Sequence, residues 1–207
     1  MCPASLLPTP PAHILRRQLI RPVSDDHVAA EPTQSAADWP SGFPAVYLTM
    51  GTVFNDLRLL RTAVDAVASL GVDVLVTVGP RTDPADVGKQ PPHVRVERYV
   101  PQTAVLSRCR VVVSHAGSGI FFGALRWGLP QLCLPQGADQ FLNAAAIAAA
   151  GAGLSLHPRA ADAQAIAAAT SQLLDDPRFR LRAQTIATEI SQMPSPDDVA
   201  GVLEGLT

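Results

Sequence analysis

The sequence has little of what several common classes of protein need. Only 16% of its 207 residues are charged, 16 of them are basic, and the formal net charge is −2. Lys89 is the only lysine among the basic residues. A protein that neutralises the phosphates of nucleic acid needs a strongly basic surface, so nucleic acid is not expected as a partner.

Cysteines and long apolar runs are also scarce. The three cysteines, at positions 2, 109 and 133, form no C-x-x-C pair, so neither a disulfide framework nor a zinc site is indicated. No apolar run reaches the roughly 18 residues of a transmembrane helix. The first residues lack the basic and apolar regions of a secretory signal. We therefore expect a cytoplasmic protein that has no membrane partner.

Proline divides the chain into two parts. Eight of the 19 prolines lie within residues 1–44, where no helical or strand period is sustained. The composition allows two interpretations of this segment, a linker or partly disordered tail, or a strand that belongs to a preceding domain. From residue 45 onward, short apolar runs alternate with helical patterns, so residues 45–207 are expected to form one domain.

The alternation within this second part predicts the fold class. Strands are expected at 45–49, 72–78, 94–98, 111–114 and 131–134, with a short sixth at 154–156. Helices are expected at 56–70, 102–107, 118–127, 141–150, 161–174 and 177–191. Such alternation is typical of α/β proteins. We predict a Rossmann-like, doubly wound parallel sheet with helices on both faces.

The strongest candidate for a binding site follows the fourth predicted strand. His115 lies at the carboxyl end of that strand, where ligands bind in such sheets, and Gly117, Ser118 and Gly119 form a turn into a helix. Unpaired N–H groups at the start of a helix, with glycines that permit close approach, favour a phosphate. A glycine turn and a lone histidine can also be purely structural. There is no Walker A loop, and the glycine spacing does not match the dinucleotide fingerprint.

Two further clusters follow neighbouring strands. Asp139 and Gln140 offer the acceptors and donors that could grip vicinal hydroxyls of a sugar. Tyr99, Val100 and Gln102 offer an aromatic face, a backbone edge and an amide, which would suit a base and its ribose. Because all these segments end strands of one parallel sheet, they are expected at the same edge.

The order of the motifs resembles a known family. Tyr-Val-Pro-Gln, Ser-His-Ala-Gly-Ser-Gly, Gly-Ala-Leu-x-x-Gly-Leu-Pro and Gly-Ala-Asp-Gln-x-x-Asn-Ala occur in the order seen in inverting nucleotide-sugar glycosyltransferases of the GT-B fold. The nearest branch is the bacterial one that decorates macrolides, enediynes and related natural products. The resemblance covers about 45–207 and implies the donor-binding half of a GT-B fold. Residues 1–44 then resemble the interdomain linker and the end of the acceptor domain.

The resemblance also implies roles for single residues. His115, Gly117 and Thr52, with the N–H groups of Ser118, Gly119 and Ile120, would hold the diphosphate. Tyr99 and Val100 would contact the base, Gln102 the ribose, and Asp139 with Gln140 the transferred sugar. No residue of this chain is assigned as catalytic, because the general base of the family lies in the acceptor domain. No metal or cofactor is implied, and the donor is a UDP- or dTDP-sugar.

Two residues of the chain depart from the family pattern. Ile120 stands where the family usually has Thr or Ser, so a hydroxyl to phosphate is lost while the N–H remains. Gly123 stands where plant members have a Glu that binds the ribose. Many bacterial members also have Gly at this position.

Two alternative functions stay open. One is a non-catalytic or split nucleotide-sugar-binding module that needs a partner chain or forms a dimer. The other, less favoured, is a nucleotide-sugar epimerase. The small-molecule acceptor and the particular sugar cannot be identified.

Overall fold

The computed structural model describes residues 3–7, 18–23, 45–51 and 56–204. Six parallel strands form one sheet in the order β3-β2-β1-β4-β5-β6. Their bounds are β1 Val46–Thr49, β2 Val74–Thr77, β3 Val94–Glu97, β4 Val111–Ser114, β5 Gln131–Cys133 and β6 Gly153–Ser155. This order is that of a Rossmann-like sheet. The predicted fold class and all six predicted strands are confirmed.

Seven helices connect and cover the strands in the described part of the chain. They are α1 Leu57–Ala68, α2 Gln102–Leu106, α3 Ser118–Arg126, α4 Gln140–Ala149, α5 Ala163–Asp175, α6 Pro177–Gln192 and α7 Pro196–Glu204. The first six agree with the predicted helices to within a few residues. Several begin at the aspartates visible in the sequence, since the side chains of Asp56, Asp162 and Asp176 each accept an N–H of the first helical turn.

The sequence analysis did not predict α7. The helix begins at Pro196, and Ser195 and Asp198 form a reciprocal pair of hydrogen bonds there: the Ser195 N–H donates to the Asp198 carboxylate, and the Asp198 N–H donates to the Ser195 hydroxyl. This is a capping box, and the Ser-Pro-Asp-Asp sequence contained its signature. The segment was missed because the apolar periodicity that follows it is short.

The strands alternate their side chains between two apolar layers. In β1, Val46 and Leu48 face a cluster that includes residues of α1 and α5, whereas Tyr47 faces a second cluster with residues of α2 and α3. A third cluster joins α3, α4 and α6. All four residues of β1, β2 and β4 are buried. Their near-continuous apolar sequences therefore reflect helices on both faces of the sheet.

The described residues of the N-terminal segment pack against the end of the domain. A single 3-10 turn at Ala4–Leu6 places Leu6 in the cluster with α6, where it is 7% exposed. The N–H of Arg21 donates to the carbonyl of Pro194 over 2.9 Å. These contacts fix parts of the segment to the domain, and the predicted boundary at 44/45 stays a prediction. Among the described residues, no helix is both long and apolar enough to cross a membrane.

The strand order places a crevice between β1 and β4. From β1 the chain continues to β2 on one side, and from β4 it continues to β5 on the other side. Thr49 of β1 pairs with Ser114 of β4. Ligands of open parallel sheets bind at this type of switch point, outside the carboxyl ends of the strands. The residues that follow β1 and β4 are Met50 with Gly51, and His115 with Ala116.

Candidate functional site

His115 lies at the switch point with its ring between two glycines. It follows β4 directly, Gly51 follows β1, and Gly117 precedes α3. A Cβ on Gly51 would lie 2.5 Å from Cε1 of the ring and 2.7 Å from Nε2, and a Cβ on Gly117 would meet the same two atoms. Real Cβ atoms do not approach so closely. The imidazole therefore occupies space that only a residue without Cβ leaves free at both positions.

The environment of His115 favours the uncharged form of its ring. The residue is half-buried, and its buried Nδ1 has no hydrogen-bond partner among the described residues. Burial lowers the pKa of His115 below its ordinary value of 6.5, while the nearby Asp139 carboxylate and the Thr49 backbone oppose the shift with smaller effects. A neutral imidazole can donate one N–H to a ligand oxygen.

The lowered pKa of His115 makes the stability of the fold depend on pH. Below pH 6.5 the unfolded chain takes up a proton on this histidine that the folded chain resists, so the free energy of unfolding falls as the pH falls through the folded pKa. The full contribution of His115 to the free energy of unfolding is present above the pKa that this histidine has in the unfolded chain. We expect the wild-type chain to lose more unfolding free energy between pH 7.5 and pH 5 than His115→Asn, as measured by urea titration. Equal losses would contradict this assignment.

Between His115 and α3 the backbone makes a left-handed turn at Ala116, whose φ is 63°. Its N–H donates to the Ser114 hydroxyl over 3.1 Å, and its carbonyl accepts from Nδ2 of Asn143 over 2.9 Å. This conformation costs an alanine about 1–2 kcal/mol. Two side-chain hydrogen bonds, one on each side of the residue, therefore hold a turn that the residue itself disfavours.

After this turn the chain enters α3, and the backbone N–H groups of its first turn have no helical hydrogen-bond partner. The N–H groups of Ser118, Gly119 and Ile120 lie in the first turn, where no helical carbonyl precedes them. The first helical hydrogen bond joins the Phe121 N–H to the carbonyl of Gly117, and within the described chain no side chain caps this helix. Three donors and the positive end of the helix dipole thus converge beside His115, which favours an anion.

The side chain of Ile120 does not share in this arrangement. It is 3% exposed and packs in the apolar cluster with Val100 and Leu106, so only its N–H faces the helix terminus. The departure from Thr or Ser at this position is accommodated by the apolar core. Thr52, the other residue predicted beside the diphosphate, lies outside the described residues.

Asp139 lies beside the first turn of α3. Its Oδ2 accepts a hydrogen bond of 2.5 Å from the Ser118 hydroxyl and lies 3.4 Å from Nδ2 of Asn143. The carboxylate is exposed, and it does not cap α4, although it directly precedes that helix. The structure thus brings Asp139 next to the predicted diphosphate residues, as expected for residues that follow the adjacent strands β4 and β5.

Gln140 is placed differently from the other predicted sugar-binding residue. It is 2% exposed, and its Oε1 accepts the N–H groups of Gln136 (2.7 Å) and Gly137 (3.1 Å) in the loop after β5. The carbonyl of the amide therefore shapes this loop. A role of Gln140 in sugar binding stays a prediction, and it would depend on Nε2.

The two hydrogen bonds to Oε1 predict a stability effect at Gln140. Gln140→Ala leaves both loop N–H groups without their acceptor and should lower the free energy of unfolding by about 1–3 kcal/mol. Gln140→Glu keeps an acceptor at the same position and serves as the matched control, with most of the stability retained. Chemical denaturation of the three proteins measures the effect. A Gln140→Ala protein as stable as the wild type would show that these hydrogen bonds contribute nothing.

The predicted base and ribose residues lie at the other end of the site. Tyr99 is 58% exposed, as a stacking face requires, whereas Val100 is 2% exposed and can offer only its backbone. Gln102 begins α2, which packs against α3, and its Oε1 lies 3.6 Å from the position of a Cβ on Gly123. Because α2 packs on α3, Gln102, which follows β3 in the chain, lies close to the helix that follows His115.

Residues 61–206 match the EryCIII-like C-terminal domain family, described as erythromycin biosynthesis protein CIII-like, C-terminal domain. The chain belongs to this family. The resemblance to natural-product glycosyltransferases predicted from the four motifs is thereby confirmed.

Two related sequences show the extent of the similarity. Elloramycin glycosyltransferase ElmGT of Streptomyces olivaceus is 37% identical over 163 residues, which are 77% of this chain and 41% of ElmGT. The 4'-demethylrebeccamycin synthase of Lentzea aerocolonigenes is 35% identical over 80% of this chain and 39% of its own length.

Solved structures of glycosyltransferases share the fold. Spinosyn rhamnosyltransferase SpnG in complex with thymidine diphosphate has a TM-score of 0.85 and 32% identity, over 98% of this chain and 55% of SpnG. Glycosyltransferase VinC in complex with dTDP has a TM-score of 0.82 and 28% identity, over 97% of this chain and 49% of VinC. The EryCIII-like chain thus spans about two fifths of the curated relatives named above and about half of these two structures.

Three residues that contribute to the candidate site were not predicted from the sequence. Gly51 contacts the His115 ring, and Ser114 and Asn143 hold the turn at Ala116. Asn143 stands in the motif that carried the resemblance, three residues after Gln140, but its contact is made on a different loop. Apart from the glycine itself, nothing in the sequence around Gly51 indicates its positive φ of 77°.

A separate cleft of about 860 Å³ lies between the N termini of α1 and α5. It is lined by residues that include Arg58, Gln136 and Arg159. None of the described residues that were predicted to bind the donor lines it. The cleft therefore does not coincide with the described residues that were predicted to bind the donor.

Proposed function

We propose that this chain is the donor-binding half of a glycosyltransferase that moves a sugar from a UDP- or dTDP-sugar to a hydroxyl group of a small-molecule acceptor. The observation that carries the proposal is the His115 ring, fixed between two glycines beside the three unpaired N–H groups of α3. A diphosphate can accept all of these hydrogen bonds without any lysine. The complexes of SpnG with thymidine diphosphate and of VinC with dTDP support the same chemistry.

The proposed reaction is a single displacement at the anomeric carbon. The acceptor oxygen forms a bond to that carbon while the bond to the diphosphate oxygen breaks, and the electron pair leaves with the nucleoside diphosphate. One displacement inverts the configuration. His115 and the N–H groups of α3 stabilise the charge that develops on the leaving phosphate, so no metal is needed for that step. The acceptor proton is taken by a base that we assign to no residue of this chain.

The other contacts of the donor follow the order of the strands. Tyr99 would stack on the base and the Val100 backbone would contact its edge, while Gln102 would reach the ribose beside Gly123. At the other end, Asp139 would accept hydroxyls of the sugar, which requires it to exchange or share its hydrogen bond from Ser118. The cytoplasmic location expected from the composition remains part of this proposal.

Calorimetric titration of the 207-residue chain with thymidine diphosphate and with uridine diphosphate tests the proposal. We expect saturable binding of at least one of the two, and preferential binding identifies the base of the donor. The absence of binding heat with both nucleotides at millimolar concentration would overturn it. Adenosine diphosphate serves as the control, since a site that only attracts diphosphates would bind all three equally.

A second candidate is a nucleotide-sugar-binding module that acts only with a partner chain. It is favoured by Phe141 and Leu142, which are 41% and 75% exposed directly after the predicted sugar residues. Apolar side chains at the rim of a polar site are typical of a surface that another chain covers. Transfer that appears only when a chain carrying an acceptor domain is added, while nucleotide binding is present without it, would distinguish this candidate.

A further inference from the structure

The amide of Asn143 connects the two halves of the candidate site. One of its Nδ2 hydrogens is donated to the Ala116 carbonyl over 2.9 Å, and the other faces the Ser118 hydroxyl and the Asp139 carboxylate, both 3.4 Å away. Asn143 stands on α4, one turn after Asp139, whereas Ala116 lies in the turn between β4 and α3 and Ser118 is the first residue of α3. A single side chain of α4 thus contacts both the sugar-side and the phosphate-side residues.

The contact at Ala116 matters because that residue is strained. An alanine with φ of 63° is outside the region that it prefers, and this one is completely buried between His115 and Gly117. Ser114, which accepts the Ala116 N–H, is the last residue of β4 and is held in the sheet by its pairing with Thr49. Asn143 bonds the other side of the residue, its carbonyl, from α4. It can therefore fix the turn relative to the rest of the sheet edge.

We infer that Asn143 is a positioning residue, which holds Ala116 in the left-handed conformation and so sets the His115 ring and the N–H groups of α3 for the diphosphate. This inference rests on the proposed function. The side chain acts through the backbone of Ala116 and needs no contact with the donor. Without it, the turn would relax toward the conformations that alanine prefers, and the ring and the helix terminus would separate.

Rescue by glycine tests this inference. Glycine adopts a left-handed φ as readily as a right-handed one, so Ala116→Gly should make the turn independent of Asn143. In the wild-type background, Asn143→Ala should weaken binding of thymidine diphosphate by about 10-fold. In the Ala116→Gly background, the same change should weaken binding by no more than about 3-fold. The ring signals of His115 in nuclear magnetic resonance spectra should shift in Asn143→Ala and return in the double variant.

Ala138 supplies the matched control for the rescue. It is the other described alanine with a positive φ, 52°, and its carbonyl is not an acceptor of the Asn143 amide. Ala138→Gly should therefore not rescue Asn143→Ala. Equal losses in the two Ala116 backgrounds, or rescue by both glycines, would overturn the inference. If the wild type binds neither nucleotide, the proposed function fails, and the His115 signals of the ligand-free chain still decide the positioning role.

Discussion

Replacing Gly51 by alanine should lower the free energy of unfolding by about 2–4 kcal/mol and abolish most nucleotide binding. Two effects add at this position. The φ of 77° is strained for alanine, and the new Cβ would lie 2.5 Å from Cε1 of the His115 ring, so the ring or the backbone has to move. Because the ring is also the predicted phosphate ligand, stability and affinity should fall together. Chemical denaturation and calorimetry measure the two effects.

Two other glycines separate the causes. Gly71 has a φ of 68° and no atom within 4 Å of its would-be Cβ, so Gly71→Ala reports the strain alone, at about 1 kcal/mol. Gly117 has an unstrained φ of −63° but would meet the His115 ring, so Gly117→Ala reports the clash alone. Only the variants at Gly51 and Gly117 should weaken nucleotide binding.

A double-variant cycle with His115→Ala completes the test. Removing the ring also removes the atoms that the new Cβ would meet, so Gly117→Ala should destabilise the His115→Ala protein far less than it destabilises the wild type. The cost of Gly71→Ala should be the same in both backgrounds. If Gly51→Ala destabilised the fold no more than Gly71→Ala does, the close packing of the ring on Gly51 would be wrong.

His115→Ala should weaken binding of thymidine or uridine diphosphate by about 10- to 150-fold, the effect of losing one hydrogen bond to a charged phosphate oxygen. The remaining affinity would come from the N–H groups of α3 and from the contacts near β3. His115→Asn retains a short donor and should recover part of the loss. Calorimetric titration of the three proteins with the same nucleotide gives the ratio of dissociation constants.

His93 offers a matched control at the opposite edge of the sheet. It immediately precedes β3, and its Nε2 lies 2.9 Å from the Ala68 carbonyl, so His93→Ala removes a structural hydrogen bond far from the switch point. Its affinity for the nucleotide should equal that of the wild type. An unchanged affinity in His115→Ala, with the fold intact, would remove His115 from the site.

Much of the fold could be predicted because its elements leave local patterns. The continuous apolar sequences of β1, β2 and β4 reflect burial on both faces, and the helices have apolar stripes and aspartate caps. His115 could be placed at the carboxyl end of a strand for the same reason. The short helix α7 was missed because a capping box without a long apolar stripe is a weak pattern.

The sequence by itself determined the order of strands and helices, the fold class, and the segments that end at the binding edge of the sheet. Periodicity, caps and turn residues are properties of neighbours along the chain, so a single sequence displays them. The family resemblance added roles for residues such as Asp139, whose position beside Ser118 the structure then provided.

Only the tertiary structure decided which side chains share a contact. The pairing of β1 with β4 brings Gly51 to the ring of His115, and the packing of α4 brings Asn143 to the carbonyl of Ala116. Such contacts depend on strand order, register and the angles between elements, because these set the distance between residues far apart in the chain. No local pattern of residues contains that information.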